Sequence, residues 1–143
     1  MESNQSPDSE SQRNLTSTTR DPPALLSRVL IGGFLGYAAI KNFRDLEGQI
    51  GYAEAKGAPS PETAVPFSSG MLAAGSLGII LWRFPIVAAG AIASFLLGVT
   101  PIMHDFWNIE DEQQRQVEMY QFLKNVVILG AIIELLRQAV EQH

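Results

Sequence analysis

Three short stretches hold most of the side chains that can do chemistry. His104-Asp105-Phe106-Trp107 sets a base, an acid and two aromatic rings side by side. Lys124-Asn125 puts a cation next to an amide, a pairing that Lys41-Asn42 repeats. Tyr52, Glu54 and Lys56 place a phenol, a carboxylate and an ammonium at alternate positions. Groups of these types can hold a polar head group, relay protons, or pair with one another for purely structural ends. Other chemistries are closed to the chain. It has no cysteine, so disulfides, iron–sulfur clusters, thiolate metal sites and cysteine nucleophiles are excluded. His104 and His143 are its two histidines, too few for a haem or zinc site, and no metal site is expected. No nucleophilic triad or phosphate loop is visible, and no catalytic residue is assigned. Acidic residues outnumber basic ones, 15 to 10, with no Lys/Arg-rich run, so no nucleic-acid partner is expected.

These residues need elements to position them, and the hydrophobic pattern supplies four. Residues 1–22 are polar and acidic, with Leu15 the one sizeable aliphatic after Met1. A segment of that kind buries too little apolar area to offset the entropy of ordering, so a disordered tail is expected. It is a poor signal peptide, being long and acidic before the first apolar run. The domain proper covers residues 23–143 and opens on Pro22-Pro23. Spans are predicted at about residues 24–41, 64–82, 84–103 and 120–137.

The two central stretches are uncharged and each long enough to cross a ~30 Å hydrocarbon core at ~1.5 Å per residue. A buried hairpin of a soluble bundle is the rival reading, but the outer segments are themselves too apolar to shield it. Arg28 and Lys41 bracket the first span, while Lys124 and the Glu134–Arg137 pair bracket the fourth. Long cationic side chains reach the interface from such positions, and Glu134 can meet Arg137 three residues on. The expected fold class is therefore all-α: an integral membrane bundle of four transmembrane helices with both termini on the same side.

Small residues recur every fourth position: Gly32 and Gly36; Gly70, Ala74 and Gly78; Gly90, Ser94 and Gly98. That spacing clears a groove along a helix, so close packing between spans is expected ahead of a homo-oligomer face. A turn around Arg83 makes the second and third spans an antiparallel hairpin.

Four crossings gather the reactive residues on one membrane face. Lys41, Glu54, His104, Asp105, Trp107, Lys124 and Asn125 form the candidate polar cluster, and Arg28, Glu134 and Arg137 lie at the opposite face. Asp105 pairing with Lys124 is the structural alternative, with His104 a satisfied interface histidine and Trp107 a membrane anchor. Cations on the two sides tie at five each, Arg13, Arg20, Arg28, Arg83 and Arg137 against Lys41, Arg44, Lys56, Arg115 and Lys124. Charge alone therefore sets no orientation.

Tyr52-Ala53-Glu54-Ala55-Lys56-Gly57-Ala58-Pro59, His104-Asp105-Phe106-Trp107 and Phe122-Leu123-Lys124-Asn125, with Arg28 and Lys41 on the first span, together resemble the DoxX family of small membrane proteins. The resemblance runs from Pro23 to about Val140. It implies a four-helix protein of the cytoplasmic membrane with cytoplasmic termini. Some members are linked to thiosulfate:quinone oxidoreductases and others to redox-stress complexes.

Two functions stay open. One is a membrane subunit that handles a quinone or other small hydrophobic molecule and supports a redox enzyme partner, with His104, Lys124 and Asn125 facing the carbonyls. The other is a non-enzymatic scaffold or assembly protein in the lipid bilayer, its polar cluster structural. A small transporter or channel is a weaker third.

Overall fold

The computed structural model describes residues 21–143; the expected polar tail lies almost wholly outside them. The described chain is helical, with no strand among the described residues. Five helices follow one another: α1 Leu25–Arg44, α2 Leu46–Ala55, α3 Pro61–Leu81, α4 Pro85–Met103 and α5 Glu112–Glu141. A 3-10 turn, Phe106–Asn108, precedes α5. Three of them, α3, α4 (with the turn that follows it) and α5, are long and apolar enough to cross a membrane. The remaining predicted span, the first in the chain, is α1, which has 20 residues but carries Arg28, Lys41 and Arg44.

The long helices pack in sequence: α1 on α3, α3 on α4, α4 on α5. Neighbours run antiparallel. Gly32 lies against Ser76 and Ile80, and Asn42 reaches Ser69, so α1 runs counter to α3. Thr100 meets Asn125 and His104 meets Glu118, which fixes α4 against α5. Leu35, Ala39, Leu72, Ile79, Ala89, Ile92, Leu96, Ile132 and Leu135 form the buried core.

The small residues explain how close the backbones come, but only in part as expected. A Cβ on Gly32 would stand 2.5 Å from Ile80 Cγ1 and 2.9 Å from the Ser76 carbonyl, and one on Gly78 would meet Ala88 Cβ at 2.6 Å. Gly75, outside the four-residue series, is equally tight, 2.7 Å from Ile92 Cγ1. Gly90 and Gly98 face open space instead, so the α4 series is not a packing groove within this chain.

The hairpin between α3 and α4 turns on Trp82-Arg83-Phe84. Arg83 N–H bonds the Gly78 carbonyl at 3.0 Å and Trp82 N–H that of Ile79 at 3.3 Å, a Schellman ending. Trp82 and Phe84 both take left-handed φ values, 51° and 49°, positions that usually go to glycine. Trp82 is held there from outside: its indole N–H donates to Gln142 Oε1 at 2.9 Å, and Gln142 Nε2 donates to the Asp21 carbonyl at 2.8 Å.

Two elements differ from the sequence reading. The segment between the first two spans contains α2, whose two glycines and weak periodicity hide it. The last helix begins at Glu112, capped by the Asp111 side chain on Gln114 N–H, well before residue 120. Its 30 residues extend ~45 Å, so its first turns project past a hydrocarbon core.

A half-open cavity and its polar rim as the candidate functional site

At the end of the bundle away from Trp82, the helices splay around a cavity of about 420 Å³. Its apolar wall comes from Phe34, Leu35 and Ala38 of α1, Leu72 of α3, Phe95, Leu96, Val99 and Ile102 of α4, and Ile128 of α5. Polar groups gather toward the outer end: Asn42, Gln49, Tyr52, Ser68, Ser69, His104, Lys124 and Asn125. Two cross-helix hydrogen bonds underpin this ring. Asn42 Nδ2 donates to Ser69 Oγ at 3.3 Å, and Asn125 Nδ2 donates to Thr100 Oγ1 at 3.1 Å. Each amide retains a carbonyl and a second N–H for other partners.

His104 follows the last residue of α4, where the helix ends and the backbone turns outward. Its Nδ1 lies 2.7 Å from Glu118 Oε2. A carboxylate accepts and does not donate, so Nδ1 carries a proton, and in the neutral form of the ring Nε2 then offers a lone pair. His104 thus presents an acceptor, where the sequence reading wanted a donor for a quinone carbonyl. The other carboxylate oxygen, Oε1, is 2.9 Å from Tyr52 Oη, which is also 3.0 Å from the Met103 carbonyl. One phenolic proton serves two acceptors. The Tyr52 phenol titrates above its usual range, first because it is partly buried and second because of the bond to Glu118. Glu118 was missed from sequence because it lies in a polar stretch that reads as a connector; the long start of α5 is what brings it to His104.

The expected Asp105–Lys124 pair does not form. Asp105 Oδ1 instead takes a 2.7 Å ion pair from Lys56, and Asp105 Oδ2 accepts from Asn108. The reason is the α2 helix, which carries Lys56 at its end up to the α4–α5 connection. That bond to Asp105 is the main cause raising the Lys56 ammonium above the usual lysine value, against a smaller opposing effect of burial. Lys124 donates to Gln121, one turn back on its own helix, with its ammonium 5.9 Å from the Phe34 ring centroid.

The remaining candidates separate. Glu54 and Lys41 are exposed, and neither lines the cavity. Trp107 is 54% exposed and packs edge-to-face with Phe106 and Phe122, centroids 5.2 and 5.9 Å away, which pins the 3-10 turn to α5. At the opposite end Arg28 donates to the carbonyls of Pro23 and Ile80, 3.0 and 2.8 Å, beneath the Trp82 ring. Glu134 and Arg137 pair at 2.7 Å on an exposed face, as their spacing suggested. Among the described residues no group of three His, Asp or Glu side chains could hold a metal ion.

An all-helical protein with membrane-crossing helices around an amphipathic cavity is the class these observations define. The sequence model of the DoxX family matches residues 24–105, more than half of the chain, and the chain belongs to that family. The match takes in α1 to α4 and ends at Asp105, before Lys124 and Asn125. No curated protein and no solved structure matches the chain.

Proposed function

We propose that the chain is a membrane subunit that holds a quinone, or a hydrophobic molecule of similar size, in this cavity and serves a redox partner rather than catalysing alone. The cavity is the observation that carries the reading. It has the size of small-molecule sites, about 300–1,000 Å³, and their character of apolar walls with a few convergent polar groups. An isoprenoid or alkyl tail fits against Phe34, Leu72 and Phe95. A head group meets the ring of polar side chains, where His104 Nε2 accepts from a ligand hydroxyl and Lys124 or Asn125 donates to a carbonyl. Electrons would come from the ligand and the partner, since the side chains here offer only proton chemistry.

On this reading α1 makes a fourth crossing of the cell membrane and both termini face the cytoplasm. Arg28 supports that arrangement because its guanidinium is satisfied by two main-chain carbonyls at the helix end. Cysteines at Asn108 and Ser11 should then label from opposite sides of intact vesicles. Same-side labelling would show that one of the helices between them does not cross.

The scaffold reading has its own support. Lys56, Asp105, His104, Glu118 and Tyr52 all find partners within the chain, and no buried side-chain polar atom among the described residues lacks one. Quinone content after purification in mild detergent separates the two. Native protein should retain quinone, Ala38→Phe should expel it by filling the cavity, and His104→Ala should lose it while staying folded. Native protein without bound quinone, or full retention in both variants, favours the scaffold.

A further inference from the structure

We propose that the occupant of the cavity is an amphiphile with an anionic head, a single-chain carboxylate whose oxygens meet Lys124. The proposal rests on the cavity reading above and takes its second alternative, a hydrophobic molecule of similar size, in place of a quinone.

The argument begins with which charges are answered. Three Lys/Arg–carboxylate ion pairs are present among the described residues, Lys56–Asp105, Arg137–Glu134 and Arg137–Glu141, and Glu118 is bonded to His104. Arg28 is satisfied by carbonyls. Lys124 has only a neutral partner, Gln121, yet it is the one cation other than histidine in the cavity lining. No carboxylate lines that cavity.

An ammonium on a membrane-crossing helix, at the edge of an apolar cavity, is costly unless an anion answers it. The Phe34 ring, 5.9 Å from Nζ, gives it a partial answer only. A ligand carboxylate placed at Lys124 would answer its charge and form charge-assisted hydrogen bonds. Its chain would run inward along Phe34, Leu72 and Phe95. The approach is available as well, because α1 and α5, which carry Lys41 and Lys124, are not among the closely packed helix pairs.

The test uses the full chain in nonionic detergent, with radiolabelled palmitate and hexadecanol as matched probes. Native protein should bind palmitate at least roughly tenfold more tightly than hexadecanol, the worth of one charge-assisted hydrogen bond. Lys124→Gln should abolish that preference, and a thermal melt close to that of the native chain should report that the bundle is intact. Lys124→Arg should keep the preference.

Equal affinity for the two probes, or an unchanged preference in Lys124→Gln, overturns the proposal. If Lys124→Gln does not fold, the native preference and its retention in Lys124→Arg decide. Displacement of palmitate by equimolar phosphatidylglycerol overturns the single-chain assignment. Quinone and hexadecanol binding without palmitate preference would leave the cavity reading standing and this one fallen; binding of no probe would end both.

Discussion

The two ends of the bundle are built on opposite principles. Toward Trp82 the helices approach until glycine is required: Gly32, Gly75 and Gly78 each leave less than 3 Å for an added Cβ. Toward His104 the helices leave between them a hollow of about 420 Å³. The polar groups differ in the same sense. At the closed end Arg28, Trp82 and Gln142 are consumed by main-chain carbonyls and by each other. At the open end His104, Lys124 and the two asparagines retain hydrogen-bonding capacity beyond the bonds they make. Close packing at one end and a half-open hollow at the other divide the bundle.

This contrast can be broken most severely at the closed end. Gly75→Val should cost about 1–3 kcal/mol or more, because the new side chain drives into Ile92 and the Ala88 carbonyl. Gly98→Ala, facing open space on α4, should be neutral or slightly stabilising. Thermal melts in one detergent check both. Equal losses at the two glycines would remove the distinction between the ends.

A smaller effect is expected at the rim. Lys56→Ala or Asp105→Ala should each cost about 1–2 kcal/mol, since the pair is roughly four-fifths buried and hydrogen-bonded. A double-mutant cycle should show coupling between Asp105 and Lys56 and none between Asp105 and Lys124. Coupling to Lys124 would restore the pairing that the sequence alone suggests.

The smallest effect is a pH dependence. Lys56 is raised above its ordinary 10.5 by Asp105, so the pair's contribution is fully present below that pH and lost as pH rises through the raised value. The neutral Tyr52 phenol, also held above its usual 10.0, acts in the same direction. Melts between about pH 9 and 11.5 should fall less steeply in Lys56→Gln with Tyr52→Phe than in the native chain. Parallel curves would mean that neither group matters to the fold.

Much of the closed end is legible in the sequence, and much of the open end is not. The uncharged runs on either side of Arg83 announce a hairpin, and Gly32 and Gly78 announce close approach, because both signals are local and repeat at helical spacing. Glu134–Arg137 is likewise a matter of three residues. His104, Lys124 and Asn125 were placed at one end by counting crossings, and the structure brings them to one cavity. The partners of the rim depend on something not local. Lys56 reaches Asp105, and Tyr52 reaches Glu118, only because α2 forms within a segment that reads as a loop. Glu118 itself becomes a neighbour of His104 only because α5 starts about two turns before its apolar stretch. Ser69 and Thr100, buried polar residues that answer Asn42 and Asn125, carry no signal beyond sitting in apolar helices.

The Gln142 bridge has a consequence for the order in which the molecule is made. Nearly every helix packs on the long helix synthesised before it, so the growing chain can assemble stepwise with short-range contacts. The bond from Gln142 to the Asp21 carbonyl is different, joining residues 121 apart. It forms only after α5, which also supplies the last wall of the cavity, is in place. Gln142 thus acts as a late latch: until translation delivers it, the cavity has three long walls and Trp82 lacks the partner that holds its indole.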